Sequence, residues 1–268
     1  MFGGFFANSQ STAFQYTPFL ENLSVSPEFA WSVWQPHSSV TNCVRLRRSS
    51  DNAELDFGYV NGYVDTSAIA SWGGVDTLYV VTFYSYLTNA TELTTPRQAI
   101  WINSGGVNNL AAIDKNPLSS ATAQIYKLSA NITSIVDYTL LLVENKQISV
   151  TTNTNYTFTT TLRTRGYLYN PQNNIGSRPG NGIVIGAYPI GENVVELNRT
   201  SGDVFYYLNN VFNINKLNAD SNGITYLFGQ TETTPAPQSE LIFFKSSLGA
   251  SDRSQYYTDY NSRYNKTV

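Results

Sequence analysis

Residues 45–69 read RLRRSSDNAELDFGYVNGYVDTSAI, with three arginines and four acids gathered around a run of turn formers. On either side of SSDNAE (49–54) the segments CVRLRR (43–48) and LDFGYV (55–60) are rich in β-formers, so the stretch reads as a hairpin rather than a basic patch. Side chains alternate across a strand, which places Arg45 and Arg47 on one face of the first strand and Glu54 and Asp56 on one face of the second. Cross-strand arginine–carboxylate pairs are the expectation, each worth about 0.2–1 kcal/mol and each fixing the register. The acids answer the arginines, and a nucleic-acid patch is disfavoured.

Working outward, DTSAIASWGG (65–74) offers Asp65 as a helix cap, with Gly73 and Gly74 as the stop. Short β-rich segments then recur between turn signals: 77–87, 98–103, 123–129, 134–144, 155–163, 182–188, 193–198, 203–209, 223–229 and 239–245. No long helical crossovers separate them, so an all-β, antiparallel jelly-roll sandwich with short peripheral helices is expected. Near the end, Ser251 is a candidate cap for a helix that sets Tyr256, Tyr260 and Tyr264 on one face, a stripe suited to packing on a sheet. Residues 85–97 and 170–182 read as loops with no evident role.

Residues 1–27 differ. They carry Phe2, Phe5, Phe6, Phe14, Tyr16 and Phe19 without a helical or alternating period, and the first twenty residues bear no charge. Six rings left in water would be a sticky patch, so something must cover them, either their own domain or another subunit; the expectation adopted is an extended arm that buries them against another subunit, ahead of a single domain over 28–268.

Charged residues make up 13% of the chain against a usual value of about 25%, and the net charge is −3. Neutralising nucleic-acid phosphates needs a concentrated basic face, which this composition lacks. Cys43 and His37 are the only residues of their kinds, which excludes an intramolecular disulfide and leaves zinc or His-dependent catalysis a single imidazole. No calcium loop of the DxDxDG kind occurs, so neither metal nor cofactor is expected. The first residues do not read as a secretory signal and no membrane-spanning run is evident. The sequons at Asn22, Asn89, Asn131, Asn155, Asn198 and Asn265 are then accidents of composition.

The run VRLRRSSDNAELDFGYVNGYVDTSAIASW resembles a block of concanavalin A-like, LamG-type jelly-roll domains. That family is related to the catalytic domain of fungal arabinofuranosidase B and includes phage and algal-virus structural proteins. SELIFFKSSLGASDRSQYYTDYNSRY is similar to the closing strand of these domains and the small helix behind it. The resemblance implies a sandwich over residues 28–268. It also has gaps: the W-Y-D-Q-S-G-x-G-N run usual after the third strand is replaced by TFYSYLTNATELTTPRQAI (82–100), and neither the glutamate nor the aspartate motif of the arabinofuranosidase can be matched. Glu144, Glu192, Glu196 and Asp203 are the carboxylates from which a site could be assembled, and GENVVELN looks like an ordinary strand and its entry turn.

The expectation is therefore a non-enzymatic structural component of a virus or phage particle, located in the virion and bound to other virion proteins or to copies of itself. The alternative is a module that binds a glycan or receptor, stacking sugars on Trp31, Trp34, Trp72, Trp101 or tyrosines. A glycoside hydrolase is the least favoured of the three.

Overall fold

The computed structural model describes residues 16–114, 124–133, 137–146, 156–160, 164–167, 176–177, 191–200, 203–217, 224–230 and 237–266. Within them the chain forms β1 (Phe29–Ser32), β2 (Asn42–Arg48), β3 (Glu54–Val60), β4 (Tyr63–Val64), α1 (Thr66–Gly73), β5 (Leu78–Phe83), β6 (Ala90–Thr91), β7 (Ile100–Ile102), β8 (Ala112–Asp114) and β9 (Gln124–Ile132). It continues with β10 (Tyr138–Lys146), β11 (Tyr156–Thr160), β12 (Thr164–Tyr167), β13 (Gly176–Ser177), β14 (Gly191–Thr200), β15 (Asp203–Leu208), β16 (Val211–Leu217), β17 (Ile224–Gln230), β18 (Gln238–Phe244) and α2 (Ala250–Tyr264). The expected segment 182–188 lies outside the described residues, while β1, β4, β6, β8, β12, β13 and β16 fall outside the expected segments.

All pairings are antiparallel, and they form two layers. The smaller sheet runs β1–β18–β10–β14–β15–β16. The larger starts β4–β3–β2–β5, continues through β6–β9–β17–β11–β12–β13, and takes in β7 and β8 beside β5. Gln238 pairs with Ile113 between the two, and Trp34, just past β1, bridges Tyr63 of β4. Between the layers lies the main core, in which Leu140, Leu142, Val195, Leu197, Leu241 and Phe243 meet Leu46, Val80, Phe83, Tyr126 and Leu128.

The smaller sheet is buried on its other face too. Leu141, Val143, Val194, Ile242 and Phe244 point away from the sandwich onto α2, where Tyr256, Tyr260 and Tyr264 are each at most 1% exposed. The tyrosine stripe thus packs on the sheet, and double burial explains why every residue of β18 is covered. The cap differs from expectation: Gly249 precedes α2 without a side-chain bond, and Asp252 in the first turn accepts from Ser24 N (2.7 Å) and Ser24 Oγ (2.6 Å). An acid in the first turn complements the positive end of the helix dipole. At α1, Asp65 does cap, accepting from Ala68 N at 2.9 Å.

Two rings of the expected assembly arm are turned inward on their own chain. Phe19 is 2% exposed, inside the cluster beneath α2, with the Arg263 guanidinium 3.5 Å from its ring centroid. Tyr16 stacks on Trp34 at 5.7 Å and donates to Gln35 O at 2.9 Å. The sandwich covers these rings itself, because α2 and the Trp34–Tyr63 pair leave apolar surface that residues 16–20 fill. Phe2, Phe5, Phe6 and Phe14 lie outside the described residues.

Candidate functional site: the open face of the larger sheet

Each layer of a sandwich has one outer face, and here the two have opposite fates. On the smaller sheet the outward carboxylates are consumed by α2. Glu240, fully buried, accepts from Ser32 Oγ (2.7 Å) and Tyr256 OH (2.7 Å) and forms an ion pair with Arg263. Burial opposes the Arg263 charge, yet Glu240 and the surrounding tyrosines hold its pKa above the ordinary arginine value. Glu196, also fully buried, accepts from Arg253 Nε at 2.8 Å, and its pKa is raised because the loss of solvation outweighs the arginine. These are pins between helix and sheet, closed to any substrate.

The larger sheet has no helix over its outer face among the described residues. Across it the register aligns Asp56, Arg45, Thr82, Thr91 and Lys127 on β3, β2, β5, β6 and β9. The same row continues through Tyr226, Thr159 and Arg165 on β17, β11 and β12. Arg45 grips Asp56 with both arms of its fork, Nε to Oδ1 at 2.7 Å and Nη2 to Oδ2 at 2.9 Å, and Tyr84 OH adds a bond to Oδ1 at 2.7 Å. The arginine holds the Asp56 carboxyl below its ordinary range, so Asp56 is an anion at neutral pH. Burial, helped by that anion, pushes the Tyr84 phenol up to about 12. Thr82 and Thr91 share a hydroxyl contact at 3.2 Å, and Lys127 is exposed.

The sequence-derived hairpin residues are placed accordingly. Arg45 and Asp56 are partners in register and in side chain. Arg47 and Glu54 are partners in register alone. The Arg47 side chain is buried over the Tyr79 ring (4.6 Å to its centroid) and donates to Gln98 Oε1 (3.0 Å) and Asn52 Oδ1 (2.6 Å), while Glu54 stays in solvent. Long-range packing from Gln98 and Tyr79 thus overrides the local charge pairing.

The other candidates are scattered. Glu192 accepts from Asn108 N at 2.6 Å and pairs with Lys266 at the end of α2. Glu144 is fully buried and in register with Asn193 and Gln238. Asp203 is in register with Thr200 and Leu217. Trp31 and Trp101 are core residues, Trp34 stacks with Tyr16 and meets Tyr63 at a tilt, and Trp72 packs on Phe57 and Arg48. The tryptophans therefore do not converge on a sugar-stacking platform. His37 sits in a partly exposed loop beside Tyr86, and burial lifts the Cys43 thiol to about 12, which keeps it inert. No described helix is long and apolar enough to cross a membrane, and no group of three metal-ligating side chains occurs among the described residues.

Sequence reasoning missed Tyr84, Thr82, Thr91 and Lys127. The signal for the first two was present: Thr82 and Tyr84 flank the core residue Phe83 in strict alternation.

No protein-family model and no curated protein matches the sequence. Solved structures do match in shape. A GH54 α-L-arabinofuranosidase soaked with a cyclic sulfate inhibitor aligns with TM-score 0.66 and 11% identity over 90% of this chain and 63% of its own. An arabinofuranosidase complexed with arabinofuranosyl-α-1,2-xylobiose aligns with TM-score 0.65 and 12% identity over the same shares. The chain thus spans under two thirds of those enzymes. At such identity the likeness establishes the fold, an antiparallel β-sandwich shared with these glycosidases. The solved structures that share this architecture are glycosidases, which runs against the expectation of a non-enzymatic component.

Proposed function

We propose that this chain is a glycosidase-type sandwich that acts on a glycan laid across the open outer face of the larger sheet, with furanosides as the first substrate class to examine. The observation that carries this is Asp56, an anion held in place by Arg45 and Tyr84 on the outer sheet face that no described helix covers. Glycoside hydrolysis passes through an oxocarbenium-like transition state, and a fixed carboxylate stabilises the developing positive charge or attacks it. Glu54 lies two residues along the same face, about 7 Å away along the strand. It is a second carboxylate of that face, and glycoside hydrolysis uses a pair of carboxyls. The threonine hydroxyls, Tyr84 and Lys127 add hydrogen-bonding groups suited to sugar hydroxyls. The fold shared with arabinofuranosidases, one of them a mutant soaked with 4-nitrophenyl α-L-arabinofuranoside, supports furanosides as the starting point.

The test is nitrophenol release from 4-nitrophenyl α-L-arabinofuranoside and a panel of related aryl furanosides and pyranosides. Turnover of at least one substrate is expected, with loss of at least a hundredfold in Asp56→Asn and in Glu54→Gln. No release from any substrate, or release untouched by both substitutions, would overturn this function.

A further inference from the structure

Arg47 is 6% exposed, so its charge has been taken almost wholly out of water. A buried guanidinium is ordinarily matched by a carboxylate, as Arg263 is by Glu240. Among the described residues Arg47 has no such partner. Its Nε and Nη1 donate to the neutral amides of Gln98 and Asn52, its face lies over Tyr79, and Nη2 is buried with no acceptor. The charged groups around it leave this unanswered: Glu54, across the hairpin, is in solvent, and Arg45 and Asp56 satisfy each other. An unmatched donor of this kind is costly and sits beside the row of polar groups assigned above to the glycan.

The partner that can be exchanged is Asn52. It is exposed, in the turn between β2 and β3, with a left-handed backbone (φ 58°), whereas Gln98 is 2% exposed and also donates to Glu92 O at 2.9 Å. A ligand carboxylate that displaces the Asn52 amide from Nη1 gains Nη2 at the same time, which is the two-pronged geometry a guanidinium fork favours. Resting on the glycan-directed function proposed above, we infer that the glycan is acidic, and that Arg47 receives the carboxylate of a uronic-acid residue next to the Arg45–Asp56–Tyr84 cluster. Tyr79 backs the fork, Gln98 fixes its orientation, and Asn52 is a placeholder in the free protein.

The experiment is calorimetric titration of the full chain with a panel of galacturonate, glucuronate and mannuronate oligosaccharides, each paired with its methyl ester. At least one acid form is expected to bind tenfold or more tightly than its ester, with that advantage weakening as salt rises. Arg47→Gln should abolish the advantage, so that acid and ester bind alike. Arg47→Lys, which keeps the charge but loses the fork, should retain little of it, and Asn52→Ala should not weaken acid binding. Equal binding of acid and ester, no binding of any uronide, or an advantage that survives both Arg47 substitutions would overturn the inference. If Arg47→Gln fails to fold, Arg47→Lys decides alone. Hydrolysis of neutral furanosides without any acid preference would leave the glycan-directed function standing and remove only this inference.

Discussion

The two outer faces of this sandwich carry the same residue types and use them in opposite ways. Beneath α2, Glu240 and Glu196 are fully buried and each is tied to a helix arginine. On the open face, Asp56 is paired just as closely with Arg45, yet the two side chains keep 34% and 41% of their surface in contact with solvent. The lesson is that an arginine–carboxylate pair gains its meaning from what covers it. Under a helix it sets how the helix docks, and breaking it strands a charge. In the open it costs little to keep and leaves a fixed anion within reach of a ligand.

The largest expected effect is therefore on the covered face. Replacing Arg263 with Met leaves Glu240 buried without its counter-charge, and unfolding by urea should show a loss of about 3–5 kcal/mol. A loss under about 1 kcal/mol would mean that α2 docks without this pin. Next comes Phe19→Ala, which empties a site beneath the same helix and should cost about 3 kcal/mol in the same assay. If Phe19 served another subunit, the isolated chain would hardly notice its loss.

Acidity separates the faces by sign. Glu196 has a folded pKa above its unfolded value, so its contribution is fully present below the ordinary glutamate range and is lost as pH rises through the raised value. The advantage of the native chain over Glu196→Gln should accordingly shrink with rising pH. Asp56 has a folded pKa below its unfolded value, so its contribution is present above the ordinary aspartate range and lost as pH falls through the lowered value. Denaturation of Asp56→Asn against the native chain across acidic pH should show a gap that narrows as pH falls. Equal slopes for the two substitutions would erase the distinction. The smallest effect is the stability change in Asp56→Asn at neutral pH, about 1 kcal/mol or less, because the pair is open to solvent. A melting curve that shifts little while activity disappears would separate function from folding on this face.

Alternation in CVRLRR and LDFGYV made the hairpin legible, together with its Arg45–Asp56 register, because both depend on neighbours a few residues apart. The tyrosine stripe of α2 was legible for the same reason. Arg47 was not: its partners Gln98 and Tyr79 arrive from segments whose place beside β2 is set by sheet topology. Nor was the burial of Glu196 and Glu240, since a lone acid in an apolar strand reads as outward and exposed until a helix is known to cover that side. The arm was legible only in part for a related reason. Aperiodic aromatics announce that something must cover them without naming what, and for Tyr16 and Phe19 it is the chain's own sandwich. The open face was half visible, in the alternation of Thr82, Phe83 and Tyr84, and became a row only once β6 and β9 were seen beside β5.

The most direct measurement is a crystal structure of the full chain soaked with an oligosaccharide that it binds or cleaves. Sugar density is expected across the outer face of β3, β2 and β5, with a ring within hydrogen-bonding distance of Asp56 and Tyr84. Density confined to the α2 side of the smaller sheet, or to any surface apart from this row, would contradict the division of labour between the two faces.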